Sequence, residues 1–375
     1  MGSKLVSFRI VNLKVLLLTY LFAFLGAVLI FDASSAYSIV NLGNPYYFFL
    51  KQIVWILLGS AALFVFTVVV DYWDLKRAVF PLLFLSFLLL VLIYIPGVGK
   101  TVNHARRWLR IVPVNLQPAE ILKIVWIIYL ADFMDRNRSR IKKIKTLLGP
   151  ALFLVIFSAL VYKQPDLGSV IILVLSFAFM IFLGGFPLRY IAGFILSTLP
   201  LLYFALFHVG YRRHRMLSFL NPFEYAQGKA WQLVQSLIAM GSGGLFGKGP
   251  VASQAKLLYL PYAHTDFIFP IIGEEFGFAG SLILLGLYFM LFYQAITISL
   301  NIGDYFAKLL ASGLIFLIII QALINIAVAT GLLPTKGMTL PFLSSGGSSL
   351  IANFWAVGIL LNISIYGKKI KNNSF

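Results

Sequence analysis

Reactive side chains are scarce in this 375-residue chain, and they fall into a few polar stretches. His264-Thr265-Asp266-Phe267-Ile268-Phe269 sets one carboxylate beside an imidazole and a hydroxyl at the edge of an apolar run. Such a carboxylate is a candidate acid–base group, although one acidic residue at a membrane edge is thin evidence taken alone. Glu274 and Glu275 follow, and read as helix-packing hydrogen-bonding groups or the lining of a polar cavity. Upstream, Lys100 and Asn103-His104 lead into Ala105-Arg106-Arg107-Trp108-Leu109-Arg110. Guanidinium groups match phosphate oxygens through their planar fork, and these could hold either lipid headgroups or a phosphate-bearing substrate.

Glu120 and Lys123 are spaced i,i+3 and share one helix face. They read as a structural ion pair or as part of a polar pocket that opens outward. Lys163-Gln164-Pro165-Asp166-Leu167-Gly168 is a tight turn with opposite charges. Leu333-Pro334-Thr335-Lys336-Gly337 precedes a stretch from Leu340 to Ser349 that is rich in Pro, Ser and Gly, including Ser348. Irregular backbone at membrane depth is tolerated only where it is buried in protein or lines water. The segment 241–249 ends in Gly247-Lys248-Gly249 and superficially resembles a nucleotide-binding loop. The match fails, because Ser242 stands at the first required Gly and Gly249 at the required Ser or Thr. It reads as a flexible hinge, or as backbone N–H groups able to cradle phosphate oxygens. The set is mostly cationic, with Asp266 a carboxylate among cations, which suits an anionic, lipid-borne substrate.

The elements that carry these residues must cross a membrane. Of all residues 61% are hydrophobic and 11% charged, against about 25% charged in soluble domains. The mean hydropathy is +0.94. This excludes a soluble enzyme, a disordered chain and a coiled coil. A formal net charge of +18 also occurs in nucleic-acid binders, but a chain this apolar is a poor candidate for one. No cysteine is present, so disulfides, thiolate metal sites and cysteine nucleophiles are excluded. Long apolar runs with polar flanks predict ten spans: residues 15–31, 52–70, 79–95, 116–133, 147–162, 168–184, 189–208, 279–298, 306–332 and 349–366. The long loops 96–115 and 209–265 then lie on one side. Arg136, Arg138, Arg140, Lys142, Lys143 and Lys145 crowd one short loop on the other side, which places that side and both termini in the cytoplasm. Residues 232–240 read as an amphipathic helix on the outer surface.

In these motifs the chain resembles the SEDS family (shape, elongation, division and sporulation), the FtsW and RodA proteins of bacteria. The resemblance rests on Ala105-Arg106-Arg107-Trp108 with Gln117-Pro118-Ala119-Glu120, on Gln164-Pro165-Asp166-Leu167-Gly168 and on Gln235-Ser236-Leu237-Ile238-Ala239. It continues through His264-Thr265-Asp266-Phe267-Ile268-Phe269 and Gly346-Gly347-Ser348-Ser349. Leu333-Pro334-Thr335-Lys336-Gly337 and the stretch from Tyr211 to Pro222 look like the FtsW branch rather than RodA. Ser345 departs from the family, which usually has Tyr there.

The resemblance implies an all-α polytopic membrane protein, with residues 1–375 forming one SEDS-type domain of about ten helices and a large extracytoplasmic loop between the seventh and eighth. It implies a glycosyltransferase that polymerises lipid II at the outer face of the bacterial inner membrane. The implied partners are a class B penicillin-binding protein (an FtsI-type transpeptidase) and other division proteins at the septum. By motif position Asp266 is the catalytic acidic residue, expected to act as general base. Arg106 and Arg107, with Glu120, Lys123, Asp166, Lys248, His264, Lys336 and Ser348, are the expected substrate-binding set. A divalent cation, Mg or Mn, could share the charge stabilisation, but one carboxylate defines no metal site. The competing readings are a lipid II flippase, a RodA-type elongation enzyme and a scaffold; no convincing internal repeat supports a transporter.

Overall fold

The computed structural model describes residues 12–102, 105–111, 114–208, 210–228, 230–260 and 263–372. Asn103 and His104 from the sequence analysis lie outside the described residues, as do the side chains of 211–215.

Each of the ten expected spans corresponds to a helix. α1 (Leu13–Leu42) and α2 (Tyr47–Phe64) form the first hairpin, and α2 runs on as a wider π-turn through Val65–Val69. A short α3 (Tyr72–Arg77) leads into α4 (Val79–Leu92). Then come β1 (Gly99–Val102), β2 (Ala105–Ile111) and β3 (Val114–Leu116), followed by α5 (Pro118–Arg136), α6 (Leu148–Lys163), α7 (Leu167–Leu183) and α8 (Leu188–Phe207). α9 (Gly210–Leu220) and α10 (Trp231–Gly243) occupy the second long loop. α11 (Ile268–Leu300), α12 (Tyr305–Ala329) and α13 (Gly347–Asn372) close the bundle.

Six of these helices are long and apolar enough to cross a bilayer by length and composition alone. α5 carries Glu120, Lys123, Asp132, Asp135 and Arg136, yet is buried along almost its whole length. Glu120, Lys123 and Asp132 face protein, where membrane-embedded ionisable groups belong, and Arg136 at the helix end is exposed. α12 and α13 are likewise central, whereas α1, α2, α4 and α11 turn Phe24, Leu57, Phe84 and Phe289 outward for lipid.

Two features were not expected. The loop 96–115 is a three-stranded antiparallel sheet, in an otherwise all-α fold. The pairing runs Lys100 to Trp108 and then Thr101 to Arg106, so Arg107 is the extra residue of a β-bulge. A bulge re-aims the side chain it carries. The second feature is a break in α11 at Gly277 (φ 67°, ψ −163°). The carbonyls of Glu274 and Glu275 thereby lose their helical partners, the amides of Phe278 and Ala279. The 244–249 loop supplies replacements on both sides of the break. Lys248 N–H donates to Glu274 O (3.0 Å) and Gly249 N–H to Glu275 O (3.0 Å), while Phe278 and Ala279 donate to Gly244 O (2.9 Å) and Leu245 O (3.0 Å). The segment expected as a hinge or phosphate cradle is thus fixed to α11, and the backbone donors of Lys248 and Gly249 are engaged.

Candidate functional site

α12 ends at Ala329 and α13 begins at Gly347; the irregular strap between them organises the site. Three of its carbonyls accept from side chains of other elements, since backbone buried in a membrane bundle needs partners within the protein. Asn325 Nδ2 donates to Met338 O (2.5 Å) and Gln321 Nε2 to Thr339 O (3.2 Å), both from α12. Tyr288 of α11 donates to Pro341 O (2.6 Å). Ser345 N–H donates to His264 O (2.9 Å), which joins the strap to the segment carrying Asp266.

Asp266 is half-buried, two residues ahead of α11. Its backbone carbonyl accepts from Asn325 Nδ2 (2.9 Å). Its carboxylate lies against Gly337, so closely that a Cβ there would stand 2.7 Å from Oδ2. The next strap residue towards the N-terminus, Lys336, lies over Gly168, where an added Cβ would come 2.7 Å from Nζ. Lys336 and the Gly337 backbone that meets Asp266 are therefore neighbours on one short piece of the strap.

Lys336 faces the turn that starts α7. Asp166 caps that helix, accepting from Ser169 N–H (3.2 Å) and Ser169 Oγ (2.7 Å). Burial alone would raise its carboxyl, but the Lys336 ammonium, the Arg107 guanidinium and the Ser169 hydrogen bonds hold it below the ordinary carboxylate value. Arg107 reaches this turn from the bulge, donating through Nε to Gln164 O (3.1 Å) and through Nη2 to Pro165 O. Gln117 Nε2 donates to Asp166 Oδ2 (3.4 Å), and its N–H donates to Ser348 Oγ (2.9 Å), whose own hydroxyl donates to Asn115 O (3.2 Å).

Beneath the strap, Lys123 pairs with Glu120 (2.8 Å) and donates to Gln321 Oε1 (3.2 Å). The other end of that amide reaches Thr339 and Ser349. Eight of the expected residues are thus joined through the strap or its direct partners: Asp266, Lys336, Asp166, Arg107, Ser348, Glu120, Lys123 and, through its carbonyl, His264. Arg106 and Lys248 go elsewhere. Arg106 Nη1 donates to Tyr94 O (3.2 Å). Lys248 pairs with Glu274 (2.8 Å), whose carboxylate also accepts from Ser253 Oγ (2.6 Å) and the amides of Gln254 and Ala255 (3.2 Å each). Beside it Lys256 binds both Glu275 (2.7 Å) and Asp32 (2.6 Å). This cluster fixes the second long loop to α1 and α11.

His264 packs against Phe48 (ring centroids 4.3 Å) and Tyr37 (6.0 Å). Burial, with the Lys51 charge added, pushes its imidazole from 6.5 down to about 4, so it is neutral at pH 7. Below pH 6.5 the unfolded chain binds a proton that the folded one refuses until about pH 4, so stability is lost as the pH drops through that window. His264→Gln is expected to flatten this part of the pH dependence of the thermal midpoint, measured on detergent-purified protein between pH 7 and 4. An unchanged slope would show that His264 does not set it.

Gln321 and Asn325 escaped the sequence reading. The available signal was two amides spaced i,i+4 within a strongly apolar run, and such groups face the bundle interior. Among the described residues no group of three or more His, Asp or Glu gathers as a metal site.

Residues 12–369 match a family model described as "Cell cycle protein", covering FtsW, RodA and SpoVE. The chain is 42% identical over 354 residues to the "Probable peptidoglycan glycosyltransferase FtsW" of Trichlorobacter lovleyi, covering 94% of this chain and 93% of that one. It is 38% identical over 359 residues to "Stage V sporulation protein E" of Bacillus subtilis, covering 95% and 98%. Among solved structures it matches one described as "Structural coordination of polymerization and crosslinking by a peptidoglycan synthase complex", with TM-score 0.79, 27% identity and coverage of 95% and 98%. It also matches the rod shape determining protein RodA of Thermus thermophilus, with TM-score 0.69, 27% identity and coverage of 94% and 96%.

Proposed function

The chain belongs to the FtsW, RodA and SpoVE family of cell cycle proteins, and from that membership we propose that it is a membrane-embedded peptidoglycan glycosyltransferase of the FtsW type. Its substrate is lipid II, the disaccharide-pentapeptide on undecaprenyl pyrophosphate, which it polymerises at the outer face of the inner membrane with both termini in the cytoplasm. It works at the septum with a class B penicillin-binding protein and other division proteins. The observation that carries the catalytic assignment is the strap, whose Gly337 lies against the Asp266 carboxylate while the adjacent Lys336 lies over Gly168, in the turn that Arg107 reaches.

The reaction joins an acceptor hydroxyl to an anomeric carbon and expels a lipid pyrophosphate. Asp266 takes the hydroxyl proton as the new bond forms. The leaving group gathers negative charge as the old bond breaks, and preplaced cations favour that state over the ground state. Arg107 serves this role. Two of its N–H groups are spent on the carbonyls of Gln164 and Pro165, which orient the guanidinium and leave further donors for phosphate oxygens. One carboxylate acting as base gives net inversion at the anomeric carbon.

The test supplies labelled lipid II to the purified chain with its transpeptidase partner. Glycan strands are expected. Lipid II crossing the bilayer of vesicles without any polymer would favour a transporter and overturn the proposal. Arg107→Ala is expected to lower kcat by about a hundredfold, the typical effect of losing one donor to developing charge. Unchanged activity would remove the pyrophosphate role from Arg107.

A further inference from the structure

Gln321 and Asn325 lie on one face of α12, four residues apart, 3% and 2% exposed. Neither can touch substrate without a rearrangement of the bundle. Their amides nevertheless engage the segments that carry the candidate base and its neighbouring cation. Asn325 Nδ2 bridges two carbonyls that are distant in sequence, Asp266 O (2.9 Å) and Met338 O (2.5 Å). Gln321 Nε2 donates to Thr339 O (3.2 Å), Thr339 Oγ1 (3.1 Å) and Ser349 Oγ (3.2 Å), while Oε1 accepts from Lys123 (3.2 Å). The partners dictate the orientation of both amides. Two carbonyls around Asn325 require the nitrogen, and an ammonium beside Gln321 requires the oxygen.

We propose that Asn325 is a positioning residue that sets the separation between the Asp266 carboxylate and the strap bearing Lys336 and Gly337, with Gln321 fixing the register of that strap. This deepens the reading of Asp266 as general base and rests on it. The physical argument is that one buried amide nitrogen donates to both segments. They belong to different connections, one ahead of α11 and one after α12. The bond from Ser345 N–H to His264 O is a further link, eight residues further along the strap than Gly337. The Gly337 approach to Asp266 is close enough that a displacement of well under a methyl radius alters it. Phe342 at φ 65° indicates how firmly the strap is held, since a bulky side chain adopts that backbone only where its surroundings over-determine it. Misplacing reacting groups by about 1 Å costs about a hundredfold in rate.

The experiment uses the full chain with its transpeptidase partner, labelled lipid II and three variants. Asn325→Leu keeps the side-chain shape and removes both donors. Asn325→Ser keeps a single shorter donor. Asp266→Asn is run in parallel. Asn325→Leu is expected to lower kcat by about tenfold to a hundredfold with KM within about twofold, the split expected of a group that positions without binding. Asn325→Ser is expected to fall between Leu and wild type. Hydrogen exchange across residues 333–345 is expected to quicken in Asn325→Leu without a general loss of protection. Exchange reads the tether without reference to catalysis, so it separates the two claims. Wild-type kcat in Asn325→Leu, or lost activity with unchanged exchange in the strap, overturns the positioning role. If Asn325→Leu fails to fold, wild-type kcat or wild-type strap exchange in Asn325→Ser overturns it equally. Polymerisation by Asp266→Asn instead overturns the assignment of the base and leaves the exchange result standing as a statement about structure alone.

Discussion

Asp266→Asn is expected to abolish glycan polymerisation, with a loss in kcat of about a hundredfold to ten-thousandfold, the usual contribution of a positioned general base. The substitution is nearly isosteric, so the neutral amide fits against Gly337 where the carboxylate does. It cannot accept the proton from the attacking hydroxyl. The fold is expected to survive, because the backbone of Asp266 is held through its carbonyl by Asn325 and the side chain is half-buried rather than sealed. Three measurements check this together: strand formation from labelled lipid II, competition for lipid II binding, and the thermal midpoint in detergent. An Asp266→Asn protein that binds lipid II, melts as wild type and makes no polymer matches the expectation. A variant that still polymerises at the wild-type rate assigns the proton transfer elsewhere.

The second large effect is on stability. Lys123 and Glu120 form a 2.8 Å ion pair inside the bundle, with side chains 3% and 10% exposed. Lys123→Met keeps the length of the side chain and removes its charge, leaving the Glu120 carboxylate buried without its cation. Breaking a buried pair from one side costs about 3–5 kcal/mol, whereas removing both charges is often neutral. The single variant is therefore expected to melt well below wild type, and Glu120→Gln/Lys123→Met to recover most of the loss. The double variant also isolates function. If it is stable but inactive, the charges act on substrate or on the strap through Gln321. If it is stable and active, the pair is only structural. A single variant that melts like wild type would show that the pair contributes little to holding the bundle.

The sequence disclosed whatever depends on local pattern. Hydropathy located the ten spans, even for α5 with its internal charges, because apolar runs of the needed length have few other uses. The i,i+3 spacing of Glu120 and Lys123 anticipated their contact, since both sit on one helix. The motif around Asp266 pointed to a candidate site through its family resemblance, where a lone carboxylate said little. What stayed hidden depends on distant partners. Lys123 and Gln321 are 198 positions apart. The bulge that singles out Arg107 from Arg106 is a property of strand register, and the two arginines look equivalent as letters. Gly277 resembles any other glycine until the loop from Gly244 to Gly249 is seen bridging the broken turn. Arg106 and Lys248 were grouped with the site for their charge, yet their nearest partners, Tyr94 O and Glu274, lie outside the strap assembly.

The buried position of α13 bears on how the protein is made. It follows the other described spans in the chain, yet it is almost wholly enclosed and packs against α2, one of the earliest. The strap is tied down only when both of its flanking helices are seated, and Ser348, which holds the start of α5, belongs to α13 itself. A nascent or truncated chain therefore has its acidic residue in the membrane but no assembled surroundings for it. A chain cut before α13 is therefore expected to be inactive, because the strap loses one anchor and the start of α5 loses Ser348.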